Sequence, residues 1–128
     1  MNFNPVVWFE IYVQDMPRAR AFYEQVLDKR LESLLAPEGD ASGLEMMAFP
    51  MEMDNGGAGG ALVKMEGVPS GGMGTVVYFG CVDCAVEAGR VVAAGGSLFK
   101  EKFSIGQYGF CALAYDTEGN MFGLHSMQ

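Results

Sequence analysis

The sequence is short of positive charge, of histidine and of cysteine. Eight Lys and Arg stand against sixteen Asp and Glu, and with one histidine the formal net charge is −8. A chain of this sign, with no basic run, repels phosphate backbones and anionic bilayer surfaces, so nucleic acid and membrane are excluded as partners. Three cysteines are an odd number, and Cys81 and Cys84 lie only three positions apart. That arithmetic excludes a small disulfide-stapled scaffold and sets a reduced, cytoplasmic chain as the expectation. No apolar run reaches the ~18–20 residues of a membrane-spanning helix. The start Met1-Asn2-Phe3-Asn4-Pro5 has neither the basic residues nor the apolar stretch of a signal peptide.

What is present is 128 residues, 50% apolar and 12% aromatic, enough for one domain with a core of its own. Eighteen glycines and five prolines stay below the level that signals low complexity. From residue 6 to 14 the chain reads VVWFEIYVQ. Val7, Phe9, Ile11 and Val13 hold one parity and Trp8, Glu10 and Tyr12 the other, which predicts a strand with one apolar and one mixed face. Asp15 stands as an N-cap with Pro17 in the first turn. Ala19, Phe22, Tyr23, Val26 and Leu27 then follow at helical spacing, so a helix is expected to end near Asp28. Residues 31–35 and 44–49 read as strands around a turn at Pro37-Glu38-Gly39-Asp40. The glycine-rich stretch 54–60 reads as a connection to a fourth strand at 61–65. It lacks the lysine and following helix of a phosphate loop.

The pattern then recurs. Residues 75–82 alternate as a strand, Asp83 caps a helix to about Ala94, and strands are expected at 97–103, 108–115 and 120–126. Aligning Val13 with Val82 gives an offset of 69 residues. Strand–helix–strand–strand–strand twice over predicts an α+β fold of two βαβββ modules, about 5–66 and 74–127, within a single domain spanning 1–128. Each module is expected to be a curved sheet with one helix on its convex side, the two making a mixed-sheet cup.

The run Phe9-Glu10-Ile11-Tyr12-Val13-Gln14-Asp15 leading into Arg18-Ala19-Arg20-Ala21-Phe22-Tyr23-Glu24 resembles the vicinal oxygen chelate superfamily. So do Val82-Asp83, Ala94-Gly95-Gly96 and the C-terminal Asp116-Thr117-Glu118-Gly119-Asn120 running on to His125. That superfamily holds glyoxalase I, bleomycin-resistance proteins, extradiol dioxygenases and fosfomycin-resistance enzymes. The resemblance implies a glyoxalase-like fold but no single reaction. Metal-dependent members are similar in carrying four ligands, on the first and last strands of the two halves. The resemblance places those positions at Trp8, at Val77, at Gly123 and on strand 61–65, whose one polar side chain is Lys64. Tryptophan, valine and glycine offer a divalent cation no side-chain lone pair. No cofactor is therefore expected, and a divalent metal would need unusual ligands such as Glu10 and His125.

If the parity holds, Trp8, Glu10, Tyr12, Val77, Phe79, Met121 and His125 face the concavity, an apolar surface with one carboxylate and the only histidine. Tyr108 is expected on a loop over its mouth. Trp8, Tyr12, Val77, Phe79, Tyr108 and Met121 are thus candidate ligand-binding residues, and Glu10 and His125 candidate proton-transfer groups. Each has a plainer structural role: Glu10 as a paired strand carboxylate, His125 as a backbone-bonded terminal residue, Trp8 and Tyr12 as packing. Cys81-x-x-Cys84 reads as structural thiols, and the ten methionines as core filling or as an adaptable surface. Two functions remain open. One is a small-molecule-binding or sequestering protein that takes a cationic or amphiphilic ligand. The other is a glyoxalase-like lyase, isomerase or dioxygenase-related enzyme using Glu10 and His125 or an unusual metal site. A homodimer is expected in either case.

Overall fold

Branched and aromatic side chains alternate through β1 (Val6–Tyr12) because a strand sends successive residues to opposite faces. The computed structural model describes residues 4–34, 43–52 and 57–128. The elements run β1, α1 (Met16–Leu27), β2 (Glu32–Leu34), β3 (Glu45–Ala48), β4 (Gly59–Lys64), β5 (Thr75–Gly80), α2 (Cys84–Ala88), β6 (Ser97–Ser104), β7 (Phe110–Tyr115) and β8 (Met121–Ser126). The fold class is α+β, with strand–helix–strand–strand–strand occurring twice as the sequence predicts. The turn expected at residues 37–40 and residues 54–56 of the connection expected at 54–60 lie outside the described residues. Contacts gather the chain into two compact units, Trp8–Thr75 and Met1–Val7 with Val76–Gln128.

In the unit Trp8–Thr75 the sheet order is β2-β3-β4-β1, with β1 and β4 parallel and the remaining pairs antiparallel. Helix α1 starts where Asp15 Oδ1 accepts the Arg18 N–H at 3.0 Å, with Pro17 in its first turn. It ends at Asp28, whose left-handed φ of 53° turns the chain out of the helix. Glu24 binds that turn, accepting the Leu31 N–H at 2.8 Å and Arg20 Nε at 3.0 Å. These bonds hold its carboxyl below the ordinary range, the Leu31 amide foremost. Under the helix lies the core of Met16, Leu31 and Leu62, joined by Ile11, Val13, Tyr23, Met47 and Phe49. Phe9 reaches it through rings, tilted against Phe49 at 5.5 Å, and Phe49 meets Tyr23 edge-on at 5.7 Å. Phe9 and Ile11 therefore face α1, as the alternation predicts.

In the other unit the order is β5-β8-β7-β6, with β5 and β8 parallel. Helix α2 stops at Ala88 rather than near Ala94. Gly89 caps it, and residues 89–95 continue as turns whose hydrogen bonds include Val91 N to Ala88 O and Gly95 N to Val92 O. Glycine at 89, branched valines at 91 and 92 and a 65% exposed Val92 leave no apolar stripe to extend the helix. The core here is Cys84, Ala88, Ala112 and Leu124, with Phe79, Cys81, Leu98, Phe110 and Phe122 packed against it.

Parity in β5 is where the sequence reading fails. Tyr78 pairs with Gly123 and Phe79 with Leu124, so Phe79 belongs to the α2 core, its ring 6.1 Å from Phe122. Val77 shares that parity. Both leave the face that carries Met121, Gly123 and His125, which Tyr78 joins instead. The cause is a one-residue slip in the repeat. The two N-caps, Asp15 and Asp83, are 68 residues apart, and Val13 N and Cys81 N bond matching positions, Val63 O and His125 O. The counterpart of Trp8 is therefore Val76, not Val77. Because side chains alternate, a slip of one exchanges every face.

Candidate functional site

Period-2 spacing sets Trp8, Glu10 and Tyr12 on one face of β1, ~6.6 Å apart along the strand. Both aromatic side chains lean over the acid between them. Trp8 Nε1 donates to Glu10 Oε2 at 3.2 Å and Tyr12 Oη donates to Glu10 Oε1 at 2.8 Å, one donor for each carboxylate oxygen. Glu10 is 9% exposed, the most buried acid of the described residues. Burial, the charge of Glu10 and the hydrogen bond to it all push the Tyr12 phenol well above its ordinary value. Tyr12 therefore stays protonated and acts as a fixed donor.

The strands beside β1 make this face low and apolar. Trp8 lies across from Gly59, Glu10 from Ala61 and Tyr12 from Val63. On β3, Ala48 lies across from Ala61 and Met46 from Val63. A Cβ on Gly59 would stand 3.3 Å from Trp8 Cζ3 and 3.0 Å from Met51 Sδ, so the indole and the thioether cover that glycine. The end of β1 is fastened by Ser70 Oγ donating to Tyr12 O at 2.8 Å and by Gln14 Nε2 donating to Val68 O at 2.9 Å. The sequence reading of Trp8, Glu10 and Tyr12 as one face is thus met in the structure. Their grip on one another, which depends on side-chain rotamers, is not visible in the sequence.

His125 sits in the other unit. Its Nε2 lies 2.6 Å from Tyr108 O, and since a carbonyl only accepts, that nitrogen carries the proton. Tyr108 occupies a 3-10 turn, Gly106–Tyr108, between glycines at φ 70° and 103°. Met121 shares the face of Gly123 and His125, across from Tyr115. The Tyr78 ring covers Gly123, where a Cβ would collide with it. Cys81 is pushed up to about 11 by burial and by the neighbouring Glu87, and Cys84 is fully buried. The pair behaves as structural thiols, not as a poised nucleophile.

The residues do not fit the metal of the metal-dependent relatives. Trp8 lies over Gly59, the Tyr78 ring occupies the space above Gly123, and Val76 offers no donor. Among the described residues no three His, Cys, Asp or Glu side chains gather where an ion could sit. Nor is any helix among them long and apolar enough to cross a membrane.

Known structures are similar across nearly all of the chain. Methylmalonyl-CoA epimerase in complex with methylmalonyl-CoA and NH4+ superposes with a TM-score of 0.70 at 14% identity, over 98% of this chain and 95% of that one. Methylmalonyl-CoA epimerase from Mycobacterium tuberculosis gives 0.67 at 15% identity, over 97% and 88%. A mutant of 4-hydroxymandelate synthase from Streptomyces coelicolor gives 0.65 at 17% identity, over 99% of this chain but 39% of that one. At such identities the likeness speaks for the fold alone. No curated protein sequence matches significantly. The family model of the glyoxalase/bleomycin resistance protein/dioxygenase superfamily matches residues 5–124. With that match spanning nearly the whole chain, the protein belongs to this superfamily.

Proposed function

We propose that the protein binds or sequesters a cationic small molecule, without a metal, on the face of Trp8, Glu10 and Tyr12. The observation that carries this reading is the buried Glu10 carboxylate held between two aromatic donors. A buried anion attracts a desolvated cation through charge. The ligand of the epimerase neighbour is a coenzyme A ester, an anion. A chain of net charge −8 with a carboxylate at the centre of this face is matched to the opposite sign. Three free thiols suit a reducing, cytoplasmic setting, and the protein is proposed to act as a homodimer. The enzymatic alternative would use Glu10 and His125 for proton transfer. Against it, the His125 Nε2 proton is engaged by Tyr108 O and the Tyr12 proton is held tightly.

The test is thermal unfolding with benzyltrimethylammonium as probe. Binding to the folded state alone stabilises it by about 2.7 kcal/mol at a hundredfold excess over Kd. The melting temperature is expected to rise with probe concentration, to stay flat in Glu10→Gln, and to be unaffected by EDTA. An equal rise in Glu10→Gln, or a rise abolished by EDTA, would overturn the reading.

A further inference from the structure

Strand β6 does not keep step with its neighbour. Leu98 pairs with Ala114, Lys100 with Leu113 and Phe103 with Cys111, so β6 advances five residues while β7 advances three. Extra residues in one strand re-aim side chains that strict alternation would send apart. Leu98 packs into the α2 core, and Phe99 turns to the opposite face, where its ring meets Tyr115 edge-on at 5.9 Å. Alternation would return Lys100 to the α2 side. Its partner Leu113 instead lies across from Gly123, which sets Lys100 on the face of Phe99. Phe103 shares that face through Cys111 and His125, and Lys100 Nζ rests 4.1 Å from the centre of the Phe103 ring. Lys102 goes the other way, over Phe110 and onto Asp83 at 2.8 Å. The shifts thus separate two lysines: one is paired with an acid, the other is set among aromatic rings.

We propose that this patch of β6 is a second binding site, for an aromatic monocarboxylate. The carboxylate meets Lys100 Nζ, and the ring lies against Phe99. The site shares no residue with the Glu10 face and does not rest on the reading of that face. Both anchors are accessible: Lys100 is exposed and Phe99 is 58% exposed. Among the described residues no carboxylate lies within ion-pair distance of Lys100, neighbouring Glu101 included. The Phe103 ring fixes the place of the ammonium without using up its N–H donors, so a charge-assisted bond to an incoming anion remains open. Phe99 already meets one ring edge-on, and its exposed side offers the same contact to a second. One lysine in a chain of net charge −8 suits a monoanion, whereas a phosphate dianion would leave half of its charge unmatched. β6 is the end strand of the sheet order, so a ligand reaches the patch from the open edge.

The experiment is titration with 2-naphthoate, followed by backbone amide chemical shifts, beside the neutral isostere 2-naphthalenemethanol. Saturable shifts are expected on β6 and β7 around Phe99, Lys100 and Tyr115, with the alcohol binding about fivefold more weakly, the value of one exposed ion pair. Lys100→Gln should weaken naphthoate by about the same factor and leave the alcohol unchanged. Phe99→Ala should weaken both ligands by about two- to tenfold, the range of one aromatic contact. Arg90→Gln, which removes an equal charge from an exposed position elsewhere in the same unit, should change neither. Lys100 and Phe99 are exposed, so these substitutions do not threaten the fold. Absence of naphthoate binding, shifts centred away from β6, or an alcohol that binds as tightly as the acid would overturn the site. So would naphthoate affinity indifferent to Lys100→Gln, or lowered equally by Arg90→Gln. None of these outcomes bears on the cation at Glu10, which has its own test.

Discussion

Tyr12 and Cys81 keep their protons longer in the folded chain than in the unfolded one. Burial leads in both cases, joined by Glu10 for the phenol and by Glu87 for the thiol. For a group raised above its ordinary value, the stabilisation is complete below that value and is lost as pH climbs past it. The thiol begins at 9.0 and ends near 11, while the phenol begins at 10.0 and continues beyond. Stability measured by urea unfolding is therefore expected to fall above pH 9. Cys81→Ala should flatten the fall between pH 9 and 11, and Tyr12→Phe should flatten it above pH 10. Curves parallel to wild type in both variants would contradict these environments. The same scale explains the glycines of the sheet. Gly59, Gly60 and Gly123 lie across from Trp8, Phe9 and Tyr78, and in each case the ring folds over the neighbouring glycine. An aromatic ring laid over a strand glycine restores packing that the missing side chain would have made.

At the scale of elements, the two helices begin on different chemistry. α1 relies on Asp15, an exposed N-cap bonded to Arg18 N. α2 is only five residues long and is capped twice, by Asp83 at Ala85 N and by Ser126 Oγ at Cys84 N, 3.0 Å away. Lys102 further fixes Asp83 at 2.8 Å. Asp15→Ala should cost about 1 kcal/mol. Ser126→Ala should cost more, about 1–3 kcal/mol, because the Cys84 N–H would be left unpaired in the core. Urea denaturation checks the order, and a smaller loss for Ser126→Ala would contradict it. The contrast also shows what a sequence reveals. Asp15, Pro17 and the spacing of Ala19, Tyr23 and Val26 are local signals, so α1 was legible to its last residue. The Ser126 cap spans 42 positions and carries no local signature. Face assignment in the first module followed from the strict alternation of residues 7–13. In the second it failed because Val13 was matched to Val82, which is 77% exposed and lies beyond β5. The N-caps, 68 apart, were the sounder anchor, since a cap marks a fixed point of the backbone and a valine does not.

For the whole molecule, the proposed homodimer rests on exposed apolar surface. Helix α1 buries Met16 and packs Ala19 and Tyr23 against the core, yet leaves Phe22 58%, Val26 63% and Leu27 47% exposed. Phe22 and Val26 are four apart, one turn of helix, so they form a continuous stripe and not scattered contacts. Single exposed apolar side chains are ordinary, but a stripe of large ones on one helix is the kind of surface that association with a second chain would bury. Within residues 16–30, Arg18, Arg20, Lys29 and Arg30 outnumber Glu24 and Asp28, an excess of basic residues that the rest of this acidic chain lacks. The local charge thus lowers the repulsion that a net −8 would otherwise set against self-association. Closed two-fold symmetry is the commonest way for one chain to cover such a stripe. Sedimentation equilibrium at micromolar concentration is expected to give twice the 13.8 kDa chain mass. Phe22→Glu with Val26→Lys should return it to the monomer while leaving the circular dichroism spectrum unchanged, since neither side chain belongs to the core. A wild-type mass of one chain would refute the dimer, and a dimer indifferent to both substitutions would move its interface away from α1.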